Sequence, residues 1–167
     1  MVVKPSSETT SERLFSVAPM LDCTDKHFRV LMRQITQNAL LYSEMVVANA
    51  LHHSKHRNQL LDFNKIEKPI ALQLGGDNPA LLSEAVKLGE EWGYNEINLN
   101  VGCPSKRVKA GNFGACLMAN PDQVARCVEA MVISSQLPVT VKHRIGIDDL
   151  DSDDLLKQFV DIAIHAN

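Results

Sequence analysis

The sequence is short of nearly everything that marks a specialised chain. Among 167 residues there are one tryptophan, two tyrosines, four cysteines and no excess of positive charge, the formal net charge being −3. The four cysteines (Cys23, Cys103, Cys116 and Cys127) include no Cys-x-x-Cys pair, which excludes a disulfide scaffold or a zinc ribbon and suits a reducing compartment. No apolar stretch reaches the length of a membrane span, and the first twelve residues, Met1 to Glu12, are too polar for a signal peptide or anchor. They read as a disordered tail on a cytoplasmic protein with no membrane partner. The negative balance excludes a polyanion-binding surface spread over the whole protein, so any nucleic acid must be met by a local patch.

What remains is ordinary globular composition, 45% hydrophobic and 22% charged, long enough to bury a core without disulfides or metals. Strand-like apolar runs recur at Leu14 to Val17, Leu40 to Ser43, Ile70 to Leu74, Glu96 to Val101 and Val139 to Arg144. Between and after them lie helical spacings at Lys26 to Ile35, Met45 to Ser54, Pro79 to Glu91, Pro121 to Ser134 and Asp153 to Ala166. Asn78 before Pro79 and Asn120 before Pro121 have the pattern of an N-cap followed by proline at the first helical position. Five βα units in series predict a parallel sheet with right-handed crossovers, either open and doubly wound or part of a (βα)₈ barrel. A whole barrel takes about 250 residues, so a barrel here is incomplete, about five units of eight.

Side chains alternate across a strand, so the polar residues that interrupt these apolar runs fall on one face. Ala71 and Gln73 share a face, as do Asn98 and Asn100, then Thr140, Lys142 and Arg144, and finally Tyr42 and Glu44. Four successive strands thus bring Glu44, Gln73, Asn100 and Lys142 to their carboxyl ends, where parallel α/β folds build their sites. Directly after Asn100 comes the turn Val101-Gly102-Cys103-Pro104-Ser105. A lone cysteine is most often a small buried hydrophobe, and Cys116 and Cys127 fit that description. Cys103, in a Gly-Pro turn past a strand end, does not. The next segment, Lys106 to Gly114, holds Lys106, Arg107 and Lys109 with no acid and reads as a basic loop, able to grip phosphates or simply solvated. His52 and His56 are spaced i, i+4 but lack a nearby acidic or thiol partner in sequence, so they read as a polar helix end and not a metal site. Gly75-Gly76 lacks the spacing of a phosphate loop and reads as a tight βα turn.

Five strings in order, Ala18-Pro19-Met20-Leu21-Asp22, Ala71-Leu72-Gln73-Leu74-Gly75-Gly76, Asn98-Leu99-Asn100-Val101-Gly102-Cys103-Pro104-Ser105, Phe113-Gly114-Ala115-Cys116-Leu117-Met118 and Val141-Lys142-His143-Arg144-Ile145-Gly146, resemble the tRNA-dihydrouridine synthases. The Cys103 and Phe113 strings, with Leu41-Tyr42-Ser43-Glu44-Met45, are similar to the A subfamily in particular. The resemblance implies an FMN-binding TIM barrel followed by a helical domain, reducing D-loop uridine of tRNA to 5,6-dihydrouridine, for the A subfamily at positions 20 and 20a. It places Pro19 and Met20 against the flavin ring, Gln73 and Lys142 on its polar edge, and Asn100 and Arg144 on the flipped uracil. Lysine beside a flavin stabilises the reduced form's negative charge. With NADPH recharging the flavin, hydride reaches C6 of the uracil and a proton must reach C5. An ordinary thiol, with a pKa of about 8.5, is protonated at neutral pH and suits the general acid, the role the resemblance gives Cys103. Lys106, Arg107 and Lys109 would steady the RNA backbone while the base flips.

The family's later histidine, its two glycine-containing phosphate loops and its basic helical domain are expected beyond Asn167. Residues 13 to 167 thus read as the N-terminal part of the barrel. Cys23 stands where the A subfamily often has an aromatic, and the run Asp148, Asp149, Asp151, Asp153 and Asp154 suits a chain lacking the family's main RNA surface. Two alternatives stay open. One is a flavin barrel of the dihydroorotate or dihydropyrimidine dehydrogenase type, acting on a free pyrimidine, against which the Arg144 position and the Phe113 to Met118 string argue. The other is a catalytically inert fragment of a synthase.

Overall fold

A computed structural model describes residues 15–166, apart from the side chain of Arg107; the expected tail, Met1 to Glu12, lies outside the described residues. The elements are β1 (Ser16–Val17), α1 (Lys26–Ile35), β2 (Leu40–Tyr42), β3 (Val46–Val47), α2 (Ala48–His53), α3 (Arg57–Leu61), β4 (Ile70–Gly75), α4 (Pro79–Trp92), β5 (Glu96–Val101), α5 (Lys106–Ala110), α6 (Pro121–Ile133), β6 (Val139–His143) and α7 (Asp153–Ile164), with 3-10 turns at Lys65–Glu67 and Gly114–Ala119. Strand order is β1-β2-β4-β5-β6, every pair parallel. These are the five βα units expected, and they form a parallel half-barrel.

The core lies between sheet and helices. Leu72 and Leu74, Ile97 and Leu99, and Val139 and Val141 face outward from the strands and are buried with Leu82, Val86, Val124, Val128 and Met131 of α4 and α6. Helix and sheet approach so closely that a Cβ on Gly89 would sit 2.7 Å from Ile97 Cδ1 and 2.9 Å from Leu72 Cδ2. Both expected caps form: Asn78 accepts from the N–H groups of Ala80 and Leu81, and Asn120 from that of Gln123. Each satisfies donors that a helix start leaves unpaired.

Three local expectations are corrected. The segment Met45 to Ser54 is not one helix, because Val46–Val47 first pairs with β4, as β-branched residues beside a buried strand do, before α2 begins. The stretch Lys106 to Gly114 is not a loop: Lys106–Ala110 is a helical turn started by Ser105, whose Oγ accepts from the Val108 N–H. Finally, α1 buries arginines where its spacing suggested an apolar face, while Leu31 and Ile35 are exposed. Arg29 Nε donates to Glu67 Oε2 at 2.5 Å, and Arg33 donates to the carbonyls of Thr36, Ala39, Glu67 and Pro69. A guanidinium presents five donors in a fixed fork, which lets Arg33 tie α1 to the entries of both β2 and β4.

Candidate active site

Strand register sorts the inward-facing polar residues into rows. Tyr42 pairs with Ala71 and Ala71 with Glu96; Gln73 pairs with Asn98 and Asn98 with Thr140; nearest the carboxyl ends, Asn100 pairs with Lys142. The strand β2 reaches this mouth through a bulge. Tyr42 lies opposite Ala71 and Val46 opposite Leu74, so four steps on one side face three on the other, and Ser43 to Met45 carry the extra residue. Ser43 Oγ repairs the ladder by accepting from the Gln73 N–H at 3.0 Å. Glu44, released from the Tyr42 face by the bulge, accepts from the Asp22 N–H at 2.7 Å and so ties the Pro19 to Asp22 loop to the end of β2.

The rows are joined by a continuous hydrogen-bonded chain. Tyr42 Oη and Thr140 Oγ1 both donate to Glu96 Oε1, at 2.6 and 2.7 Å. Asn98 Nδ2 donates to Thr140 Oγ1 at 2.8 Å, Gln73 Nε2 to Asn98 Oδ1 at 2.7 Å, and Asn100 Nδ2 to Gln73 Oε1 at 2.8 Å. At the top, Asn100 Oδ1 accepts from the N–H groups of Gly102 and Cys103, at 3.1 and 2.9 Å. Glu96, Gln73, Asn98, Asn100 and Thr140 are all buried, and burial of polar groups on this scale is tolerated only when they are hydrogen-bonded.

The Cys103 turn is held from three sides. Besides Asn100 beneath it, Arg144 Nε donates to the Gly102 carbonyl at 2.7 Å, and the Ala115 N–H donates to the Cys103 carbonyl at 2.9 Å. Gly114, with φ +74, lies against the same carbonyl; a Cβ there would fall 2.6 Å from it and would also strike Val108. The Phe113 to Met118 string is thus a wall for the cysteine turn. The Cys103 side chain is half-buried. Cys127, in contrast, is fully buried in α6, and burial pushes its thiol up to about 11.

Of the residues expected at the site, Gln73, Asn100 and Cys103 are brought together directly, and Arg144 touches the same turn. Lys142 stands in register beside Asn100, exposed and without a hydrogen-bond or ion-pair partner among the described residues. Pro19 is half-buried and Met20 exposed in a loop closed by Thr24, whose hydroxyl accepts from the Met20 N–H. Among the described residues no hydrogen bond links that loop to Gln73 or Asn100. Lys106 is exposed on α5. A cavity of about 670 Å³ lies between α1 and the β3, α2 and α3 segment; Glu44 lines it, whereas Gln73, Asn100, Cys103 and Lys142 do not. His52 has an acidic neighbour after all, Glu84 at 2.6 Å, although no group of three potential ligands gathers around a common point among the described residues. Glu96, at the foot of the chain, is the member that the sequence reading left out, while Tyr42, Asn98 and Thr140 were placed on the inner face without a role. The alternation Glu96, Asn98, Asn100 along one buried strand was the available signal.

An unpaired lysine, a buried amide pair and a thiol turn at the carboxyl ends of parallel strands are the layout of a (βα)-barrel protein with its site at the strand mouth. For a flavin's polar edge Lys142 offers an exposed ammonium, whereas Gln73, with one N–H and one lone pair beyond those used in the chain, is itself only 1% exposed. The dihydrouridine synthase family model matches residues 16–166, and the chain belongs to that family. It is 60% identical over 151 residues to a tRNA-dihydrouridine(20/20a) synthase of Synechocystis, covering 90% of this chain and 45% of that protein. It is 55% identical over 153 residues to the protein of the same name from Shewanella oneidensis, 92% and 45% of the two chains, and 50% identical over 166 residues to that of Xanthomonas campestris, 99% and 49%. The chain therefore spans about half the length of the curated relatives it matches. Among the described residues no helix is long and apolar enough to cross a membrane.

Proposed function

We propose that this chain is the flavin-binding, thiol-bearing part of a tRNA-dihydrouridine synthase that reduces D-loop uridine at positions 20 and 20a, in the cytoplasm, with FMN as cofactor and NADPH as reductant. The observation that carries the reading is the Cys103 turn seated on Asn100, with the unpaired Lys142 in register beside it. Gln73 and Lys142 would hold the flavin's polar edge, and Pro19 and Met20 would border its ring. When bound, the reduced flavin supplies hydride for C6 of the uracil. Asn100, whose oxygen already accepts two backbone N–H groups, offers the base its remaining Nδ2 proton, and Arg144 borders the same turn. Cys103 delivers the proton to C5, and its half-buried position keeps the thiol near the mouth while limiting water. Lys106 and Arg107, next in sequence, meet the RNA backbone as the base leaves its stack.

Titrating the purified chain with FMN, beside the same chain extended through a complete barrel, tests the reading. Flavin uptake followed by dihydrouridine formation on tRNA and not on free uracil, abolished by Cys103→Ala, is the expected result for the extended chain. No flavin uptake by either would overturn it. A second reading, that the 167 residues alone bind no flavin and act only with the rest of a barrel, is favoured by the apolar residues exposed on both flanks, Leu31 and Ile35 on α1 and Ile145 and Ile164 beside β6 and α7. Uptake by the longer chain only would decide for it.

A further inference from the structure

We infer that Thr140, one row below the mouth, is a positioning residue for the Cys103 turn, acting through a hydrogen-bond chain that ends on Glu96. A carboxylate accepts and does not donate. Thr140 has one proton, and it goes to Glu96 Oε1 at 2.7 Å, the other acceptor in reach being the Ile97 carbonyl at 3.5 Å. Having given that proton, the Thr140 oxygen must accept, so Asn98 turns its Nδ2 toward it. Asn98 Oδ1 is then the acceptor presented to Gln73 Nε2, and Gln73 Oε1 the acceptor presented to Asn100 Nδ2. Only this orientation leaves Asn100 Oδ1 facing the N–H groups of Gly102 and Cys103. Every link donates toward Glu96. The opposite direction would set the Asn100 amide donors against two backbone donors.

Thr140 is the joint because it alone converts a charge into an amide orientation. It is buried, touches neither the thiol nor the mouth, and sits in register with Asn98. A role in packing and a role in the chain make opposite demands on it. Packing needs its methyl and shape, which valine keeps; the chain needs its hydroxyl, which serine keeps.

The inference deepens the proposed function and rests on it for its catalytic meaning. Its first test needs neither flavin nor tRNA, so the two can fail separately. Backbone amide hydrogen exchange followed by NMR on the full chain reads the Gly102 and Cys103 N–H groups directly. Thr140→Val is expected to speed their exchange at least about tenfold, with the β2–β4 ladder unchanged, while Thr140→Ser stays within about twofold of the parent. Protection retained in Thr140→Val, or lost in Thr140→Ser, overturns the assignment; should the valine variant not fold, the serine variant decides alone. In the tRNA assay the same substitution lowers kcat with KM for tRNA unchanged, and serine restores it. Altered exchange with no tRNA reduction in the parent would leave the positioning role standing and remove the proposed function.

Discussion

Gly114→Ala is expected to destabilise the protein by about 2 kcal/mol and to loosen the Cys103 turn. Two costs and one gain make up that figure. The residue stands at φ +74, where a Cβ costs about 1–2 kcal/mol in an L-residue. The new Cβ would also fall 2.6 Å from the Cys103 carbonyl oxygen, inside any distance real Cβ atoms adopt, so the carbonyl must move away. That oxygen holds the Ala115 N–H at 2.9 Å, and weakening such a bond costs about 1 kcal/mol. Against these, alanine restricts the unfolded chain and returns about 0.5 kcal/mol. For a domain of this size the net loss corresponds to a fall in Tm of about 4–8 °C.

Thermal unfolding followed by circular dichroism measures the first consequence. The second is read by the rate at which a disulfide reagent titrates Cys103 in a Cys23→Ser, Cys116→Ala background, since Cys23 is exposed and Cys116, expected to be buried, is half-buried like Cys103; a loosened turn reacts faster. Gly76→Ala is the control. A Cβ there meets Ala48 Cβ at 3.4 Å and Leu82 at 3.6 Å, so its effect should stay within about 0.5 kcal/mol. A Gly114→Ala protein that melts with its parent and shows the parent's thiol rate would refute the view that the Phe113 to Met118 string exists to wall the cysteine turn.

Glu67→Gln should cost about 3–5 kcal/mol, because it leaves the buried Arg29 without its counter-charge; urea unfolding will show it, and the paired Arg29→Met with Glu67→Leu should recover much of the loss. Asp25→Ala should lower Tm at neutral pH, since the Phe28 N–H at the start of α1, with His27 and Arg29 nearby, holds the Asp25 carboxyl below its ordinary 3.8. A depressed carboxyl contributes above the unfolded value and loses its contribution as pH falls through the folded one, so parent and variant should converge in acid; a gap that persists at low pH would count against the cap. Cys127 should be the last thiol alkylated by iodoacetamide at pH 8, because the side chain is buried and its pKa raised to about 11. Its folded-state proton also makes stability decline as pH rises above 9.0, where the unfolded thiol ionises and the folded one does not.

The strands that bury both faces were legible because their polar exceptions recur every second residue, and a period of two is unambiguous where an apolar run is otherwise continuous. The two Asn-Pro helix starts were equally plain, since that dipeptide pattern has a single physical use at a helix terminus. What escaped reading depends on partners distant in sequence. Helix α1 buries Arg29 and Arg33 because Glu67, 38 residues beyond Arg29, and a set of strand-entry carbonyls await them; nothing within the helix announces it. Val46–Val47 looked helical because its local spacing is, yet β4 offers it a parallel edge and the ladder prevails.

The same distinction governs the site. Gln73, Asn100, Lys142 and Arg144 could be placed at one strand end from alternation, since parallel strands share a direction, and Cys103 from its place in the turn after Asn100; Glu44, placed with them, instead accepts from the Asp22 N–H. How Gln73 and Asn100 face each other could not be read so, because an amide has two ends and the sequence names only the residue. Which end points where is fixed from both ends of the chain, by the Gly102 and Cys103 N–H groups above and by Glu96 below, and the lower end depends on register: Glu96 lies opposite Ala71, one pairing from Tyr42, and diagonal to Thr140. A one-residue slip of β6 against β5 would carry Thr140 off the inner face and leave Asn98 Nδ2 and the Glu96 acceptor unmatched. The polar row therefore selects the register as firmly as the apolar face does. Buried polar groups that are costly when unpaired exclude every pairing but one, and that pairing is the one that seats the thiol.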